Sequence, residues 1–363
     1  MQQFDVVIVG AGPAGAVLAA GLEERFRVLL IDKRCFRDPS RLYEREKSCG
    51  GLLDKRAQKA LAALGIPLDK EILSGPQVFA LKGIDLDNKG MERCYQKQYV
   101  NIDRAHFDAA LVQRALERKN VELWDEAVVF GLQEQEDGVL VQVRRNGAVE
   151  KVHAAVLVGA DGGASLVRRQ LRKTGKGRRE PKRYASIQEW YPMPREEACF
   201  KAVFDHRVTD FYSWIIPENG HLIIGSALPG SPEARRRFEQ YKEDLETLGY
   251  DLSQPLKRRG AVICRPYAWG SVWEGRGRVY LAGEAAGLIS PCSCEGISYA
   301  LNSGHILAEA LNGGLSPRAY GRKLGALKRS IFLKSFKSPI MYGSFWRGLV
   351  FRSRLLSMKP YER

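Results

Sequence analysis

Phe4-Asp-Val-Val-Ile-Val-Gly10-Ala-Gly12-Pro13-Ala14-Gly15 stands near the start of a chain of 363 residues. Residues 4–9 are almost all apolar, as a central parallel strand covered on both faces requires. The three glycines that follow have the spacing of a dinucleotide-binding turn. Gly10 makes the tight turn, Gly12 lets backbone approach a pyrophosphate, and Gly15 lets the next helix pack close to its strand. Pro13 and Ala14 belong to the first turn of that helix, whose unpaired N–H groups face the phosphates. The helix is expected from Pro13 to about Arg25, and Val28-Leu-Leu-Ile-Asp32 is a second strand. Asp32 ends it at the distance beyond Gly12 where a carboxylate meets ribose hydroxyls, with Lys33 beside it.

Working outward, Ser48-Cys49-Gly50-Gly51-Leu52 precedes a helix to about Leu64, and 74–101 alternates loosely enough to supply strands of a second sheet. Apolar residues at helical spacing predict a helix over 103–119, with Asp103 as its N-cap and Arg104 next to it. Strands at 127–133, 139–145 and 149–153 are joined by Asp137-Gly138 and Asn146-Gly147, pairs that tolerate positive φ in tight hairpins. The strand 155–160 then leads into Gly159-Ala-Asp161-Gly162. Residues 183–270 read as β-rich with one helix at 233–248. A strand, the Gly283 turn and a long helix occupy 278–312. The fold class is therefore α/β: a Rossmann-like nucleotide-binding domain with an interleaved β-rich substrate domain and a C-terminal helical tail. The expected division is 1–73, 102–182 and 271–315 for the first, 74–101 and 183–270 for the second, and 316–363 for the tail.

The composition, 45% hydrophobic and 27% charged, is that of an ordinary folded protein. No run of apolar residues suits a transmembrane helix, and no apolar leader precedes the first strand, so a cytoplasmic location is expected. Seven irregularly spaced cysteines do not form a disulfide framework, and no metal site is expected. The net charge of +15 is concentrated in the tail. From Ser316 onward twelve Lys or Arg face one acid, Glu362, and large apolar residues lie among them. That mixture suits an anionic lipid surface, making a peripheral position at the inner face of a membrane a second expectation; a packed helix with a solvated basic face is the competing one. No nucleic-acid module is present. The basic cluster from Arg168 to Arg183 reads as an exposed loop.

The chain resembles the p-hydroxybenzoate hydroxylase-type flavoproteins, and within them it is most similar to the geranylgeranyl reductase family. The first glycine motif, Cys49-Gly50-Gly51, Arg104, Gly159 to Gly162, Tyr212-Ser-Trp214-Ile-Ile-Pro217 and Gly283-Glu284-Ala-Ala-Gly287 through Gly296 carry the resemblance, which runs to about residue 312. It implies FAD held by Gly10, Gly12, Pro13, Ala14, Gly15, Asp32, Lys33, Cys49, Gly50, Arg104, Asp161, Gly283, Glu284, Gly287, Gly296 and Ile297. It also implies reduction of isoprenoid double bonds, with electrons from NAD(P)H or another donor. Glu284 departs from the family's usual Asp, and Pro291-Cys-Ser-Cys294 departs from its usual smaller or more neutral loop. Cys49 is the candidate proton donor. Tyr212, Trp214 and Pro217 are candidates for contact with a small apolar substrate, such as a prenylated lipid; Tyr212 and Trp214 alternate on one strand and share a face. A flavin monooxygenase acting on an aromatic or lipid is the alternative on the same motifs, and a non-catalytic flavin-binding redox or membrane-associated protein is the third reading.

Overall fold

The protein is described from a computed structural model covering residues 1–173, 179–193, 197–230, 232–354 and 357–358. Leu355, Leu356 and positions 174–178 of the basic cluster lie outside the described residues.

The chain opens with β1 (Gln2–Val9), α1 (Pro13–Gly21) and β2 (Val28–Ile31). A short β3 (Leu52–Leu53) and α2 (Lys55–Ala63) lead to the hairpin of β4 (Val78–Asp85) and β5 (Met91–Asn101). Next come α3 (Arg104–Leu116), β6 (Val121–Trp124), β7 (Val128–Glu134), β8 (Val139–Arg145), β9 (Ala148–Gly159) and α4 (Leu166–Lys173). Four strands follow, β10 (Lys182–Pro192), β11 (Cys199–Phe204), β12 (Ser213–Glu218) and β13 (His221–Pro229), then α5 (Ala234–Thr247) and β14 (Lys257–Arg265). The chain ends with β15 (Gly275–Arg276), β16 (Val279–Leu281), α6 (Ile297–Asn312), α7 (Pro317–Lys323), α8 (Gly325–Tyr342) and α9 (Ser344–Ser353).

The first sheet runs in the order β15-β16-β9-β1-β2-β6, with β7 and β8 attached through β9. Strands β16, β9, β1, β2 and β6 are parallel to one another, while β15 and β8 pair antiparallel with β16 and β9. Val6, Val7, Ile8 and the whole of β2 are buried because α1, α3 and α6 cover the sheet. Close approach of α6 to α1 depends on glycine: a Cβ at Gly304 would lie 2.4 Å from the Ala14 carbonyl oxygen. The Gly283 turn also lies against α1, where a Cβ on Gly283 would stand 3.0 Å from that of Ala14, so two segments far apart in sequence meet beside the first glycine turn.

The second sheet runs β14-β10-β13-β12-β11-β4-β5-β3, with only β11 and β4 parallel. Its side chains divide by alternation. Val203, Ile215 and Ile224 pack under Phe238, Tyr241 and Leu245 of α5. Phe200, Ala202, Phe204, Trp214 and Ile216 point to the opposite face, toward the first sheet.

Three local expectations are corrected. The strands expected at 149–153 and 155–160 are one strand, because His153 and Ala154 continue the pairing with β8 and β1 without a break. Asn146-Gly147 does turn at positive φ (50° and 76°), whereas Gly138 does not, and Gln135 N–H closes that turn on the Gly138 carbonyl. The basic cluster does not begin as a solvated loop: Arg168 is buried in α4 and donates to the carbonyls of Ala285 and Ser271 at 3.1 Å each.

Candidate functional site

One cavity of about 1920 Å³ runs between the two sheets. That is larger than the usual ~300–1,000 Å³ of a single small-molecule site, so it has room for a long cofactor and a substrate together. Of the residues singled out from sequence, Gly10, Gly12, Pro13, Ala14, Asp32, Lys33, Cys49, Gly50, Arg104, Asp161, Gly283, Glu284, Gly296 and Ile297 line it, as do Tyr212 and Trp214. Gly15, Gly287 and Pro217 lie behind its wall, where each has a packing or pairing role. A Cβ at Gly15 would fall 1.9 Å from the Gly10 carbonyl oxygen, and one at Gly287 would fall 2.5 Å from that of Ser271. The Pro217 carbonyl accepts from Asn101 Nδ2 at 2.7 Å.

At the nucleotide end, Gly10 turns at φ +104°, and a Cβ there would strike Ala160. Gly12 differs: a Cβ on it would meet nothing within 4 Å. No side chain caps α1, so its first N–H groups open into the cavity. Asp32 accepts from Ala11 N–H at 2.7 Å and from the Arg34 backbone and side chain at 2.9 to 3.0 Å. Each carboxylate oxygen thus already takes two donors, and a ribose hydroxyl would have to share or displace one from Arg34. Burial disfavours the Asp32 charge, but the Arg34 guanidinium and these hydrogen bonds outweigh it and hold the carboxyl below its usual range.

Arg34 also donates to Asp108 Oδ2 at 2.6 Å, and Arg104 donates to Asp108 Oδ1 at 2.7 Å. Arg104 Nη1 then lies 3.4 Å from Cys49 Sγ. A single line of contacts, Asp32–Arg34–Asp108–Arg104–Cys49, buried at its aspartates and Arg104 and half-buried at Arg34 and Cys49, therefore ties the nucleotide turn to the middle of the cavity. Arg34 and Asp108 carried no motif, and their pairing across 74 residues left no sequence signal.

In that middle region Asp161 caps α4, accepting from Leu166 N–H at 2.6 Å, while its Oδ1 is buried without a partner. Burial raises its carboxyl above the usual range. Glu284 accepts from Cys264 N–H at 3.1 Å and from Lys47 Nζ at 3.3 Å, which leaves one acceptor position on each oxygen. Glu295, a residue not singled out from sequence, caps Ser298 N–H at 2.9 Å through Oε1, and its Oε2 is buried without a partner. Burial, reinforced by Asp54, raises its carboxyl despite the bond to Ser298.

The far end is apolar. Leu81, Phe200, Phe204, Trp214, Ile216 and Phe351 line it. The Tyr212 and Trp214 rings lie 5.6 Å apart, and Tyr342 of α8 stacks on Tyr212. The Tyr212 hydroxyl donates to the Ser293 carbonyl at 2.9 Å, and burial pushes it well above its usual titration range.

These residues fit FAD. A glycine turn open at Gly12, an uncapped helix start and unsatisfied carboxylate positions on Asp161 and Glu284 form an acceptor-and-donor track for a pyrophosphate and a polyol.

The sequence profile of the FAD binding domain family matches residues 3–239. The chain is 33% identical over 357 residues to "Protein CbrA" of Escherichia coli O9:H4 (strain HS), an alignment covering 97% of this chain and 94% of that protein. Among solved structures, it resembles a geranylgeranyl bacteriochlorophyll reductase-like protein from Thermoplasma acidophilum (TM-score 0.74, 19% identity, 94% of this chain and 87% of that one). It also resembles PqsL of Pseudomonas aeruginosa, described as a "probable FAD-dependent monooxygenase" (TM-score 0.68, 18% identity, 98% and 100%). At such identities these two structures establish the p-hydroxybenzoate hydroxylase-type fold and nothing finer.

Proposed function

The chain belongs to the FAD-binding domain family of oxidoreductases, and on that premise we propose that it reduces carbon–carbon double bonds of an isoprenoid or other apolar lipid. The observation that carries this reading is the continuity of one cavity from the open glycine at Gly12 to the aromatic slot of Phe200, Phe204, Trp214 and Phe351. The Gly12 turn, Asp161 and Glu284 would hold FAD, whose reduced form would supply a hydride for one alkene carbon. Cys49, which lines the same cavity between the two ends, delivers the proton to the other carbon, and the Arg104 guanidinium stabilises the sulfur left negative. The aromatic slot holds the hydrocarbon chain and keeps water from the reacting carbons. NAD(P)H or a partner protein restores the electrons.

A substrate of this kind resides in a bilayer, so the reading carries with it a peripheral position at a membrane face. It is tested by anaerobic turnover of the flavin-loaded protein with NADPH and a prenylated lipid, with the product examined by mass spectrometry. A product that has gained two hydrogens supports the reading. A product that has gained oxygen only when air is admitted supports a monooxygenase instead. Retention of FAD with no donor oxidised under either atmosphere supports a non-catalytic flavoprotein.

A further inference from the structure

Helices α8 and α9 bury two cations beside Ile331 and Phe351 and leave most of their large apolar side chains exposed. Ordinary surface helices bury an apolar stripe and expose polar groups. Here the buried positions include Lys328, which pairs with Glu274 at 3.1 Å, and Arg347, which pairs with Asp85 at 2.9 Å. Beside the buried Ile331, α8 makes several polar contacts with the body: Ser330 accepts from Arg56 at 3.0 Å, Ser338 bonds Arg265, and the Tyr342 hydroxyl donates to the Cys292 carbonyl at 2.5 Å. The expectation of a tail whose basic face is simply solvated is corrected accordingly. Two of its cations are locked inward beside Ile331 and Phe351, and nine large apolar side chains of α8 and α9 point out.

The concentration is unusual. Phe332, Leu333, Phe336, Ile340, Met341, Phe345, Trp346, Leu349 and Val350 are all exposed, with Leu333, Phe336 and Phe345 each more than 60% exposed. Trp269 extends the patch, meeting Phe332 edge-on at 5.8 Å. A continuous outward apolar surface of this kind marks an interaction site. The charges of the segment itself are of one sign. Arg329, Lys337, Arg352 and Arg354 are exposed on or beside these helices, and no acid occurs between Ser316 and Arg354. The same segment roofs the cavity: Ile340, Met341 and Val350 are at once exposed and part of its lining, so the apolar slot opens through the patch. Among the described residues, no helix is long and apolar enough to cross a membrane.

We propose that α8 and α9 dock on an anionic bilayer, seating the aromatic side chains among the acyl chains and the basic ones among the headgroups, so that a lipid chain passes into the cavity between Ile340, Met341 and Val350. Apolar side chains at the interface combined with cations that attract acidic lipids are the two signals reversible membrane binding needs. The inference deepens the proposed reaction, since it supplies the route of entry for an apolar substrate.

The test uses the full-length, flavin-loaded protein and its double variant Phe336→Ser/Trp346→Ser, residues that do not line the cavity. Each is sedimented with vesicles of phosphatidylcholine alone or mixed with phosphatidylglycerol. The wild type is expected to bind the mixed vesicles, to be released by salt, and to lose about tenfold or more in affinity in the double variant, because two buried aromatic side chains are removed from the interface. FAD content and thermal stability of the variant should stay unchanged. Wild type that remains in the supernatant overturns the proposal. So does a wild-type dimer that the double variant splits without any vesicle binding, since a second copy would then cover the patch. Failure of the reductase reading is separable: protein that binds vesicles yet reduces no alkene refutes that reading and leaves the docking surface standing.

Discussion

Arg104 Nη1 approaches Cys49 Sγ to 3.4 Å while the same guanidinium is held by Asp108, itself held by Arg34. The thiol is thus placed by a line of charges that begins at the nucleotide turn.

Cys49 serves the chemistry rather than the fold in this account. Cys49→Ala should therefore retain FAD and melting temperature but lose roughly 100-fold or more in the alkene-reducing step, the usual contribution of a positioned proton donor. Single-turnover oxidation of the reduced flavin by substrate measures it; an unchanged rate removes Cys49 from the mechanism.

The glycines of the first turn separate cleanly. Gly12→Val places its side chain where nothing lies within 4 Å, so the apoprotein should fold with its stability unchanged while FAD binding is blocked. Gly15→Val drives a Cβ to 1.9 Å from the Gly10 carbonyl oxygen and should reduce the yield of folded protein itself. Visible absorbance of the purified variants, together with their unfolding curves, distinguishes the two.

Removing Arg347 leaves Asp85, fully buried, without its guanidinium. Arg347→Met should cost about 3–5 kcal/mol in urea unfolding, as loss of one partner of a buried ion pair does. A change within the range of an exposed pair would show that α9 is not anchored through this contact.

Glu295 gives a pH-dependent prediction. Its carboxyl is raised by burial and by Asp54, so the folded protein holds a proton that the unfolded chain releases near the ordinary glutamate value of about 4.3. Stability from this group is complete below that pH and declines as pH rises through the folded-state value. Glu295→Gln should therefore be more stable than wild type at neutral pH, with the difference vanishing in acid. Thermal unfolding followed across pH measures this; a constant difference would place the effect elsewhere.

Much of the fold was legible because its requirements are local. Phosphate-facing turns need glycine at fixed spacing, and Asp103 announced its helix because a carboxylate there accepts from Ala105 and His106 N–H. Tyr212 and Trp214 do fall on one wall, although Tyr212 stands just before β12 rather than on the strand expected to carry both. What stayed hidden joins distant positions. Nothing near Arg34 indicates that it clamps Asp32 to Asp108, and nothing near Arg168 indicates that its guanidinium is buried against carbonyls. In α8 and α9 the mixture of basic and apolar residues was plain, but composition does not say which side faces the body. Buried partners at Glu274 and Asp85 decide that.

The central claim is that FAD and an apolar alkene share one continuous cavity. Its most direct test is the visible spectrum of the flavin-loaded protein, reduced without oxygen and then mixed with a prenylated lipid. The account predicts that the bleached flavin regains its colour at a rate that rises with lipid concentration until the slot is filled. A reduced flavin that stays bleached with every unsaturated lipid, and recovers only when oxygen is admitted, would contradict it.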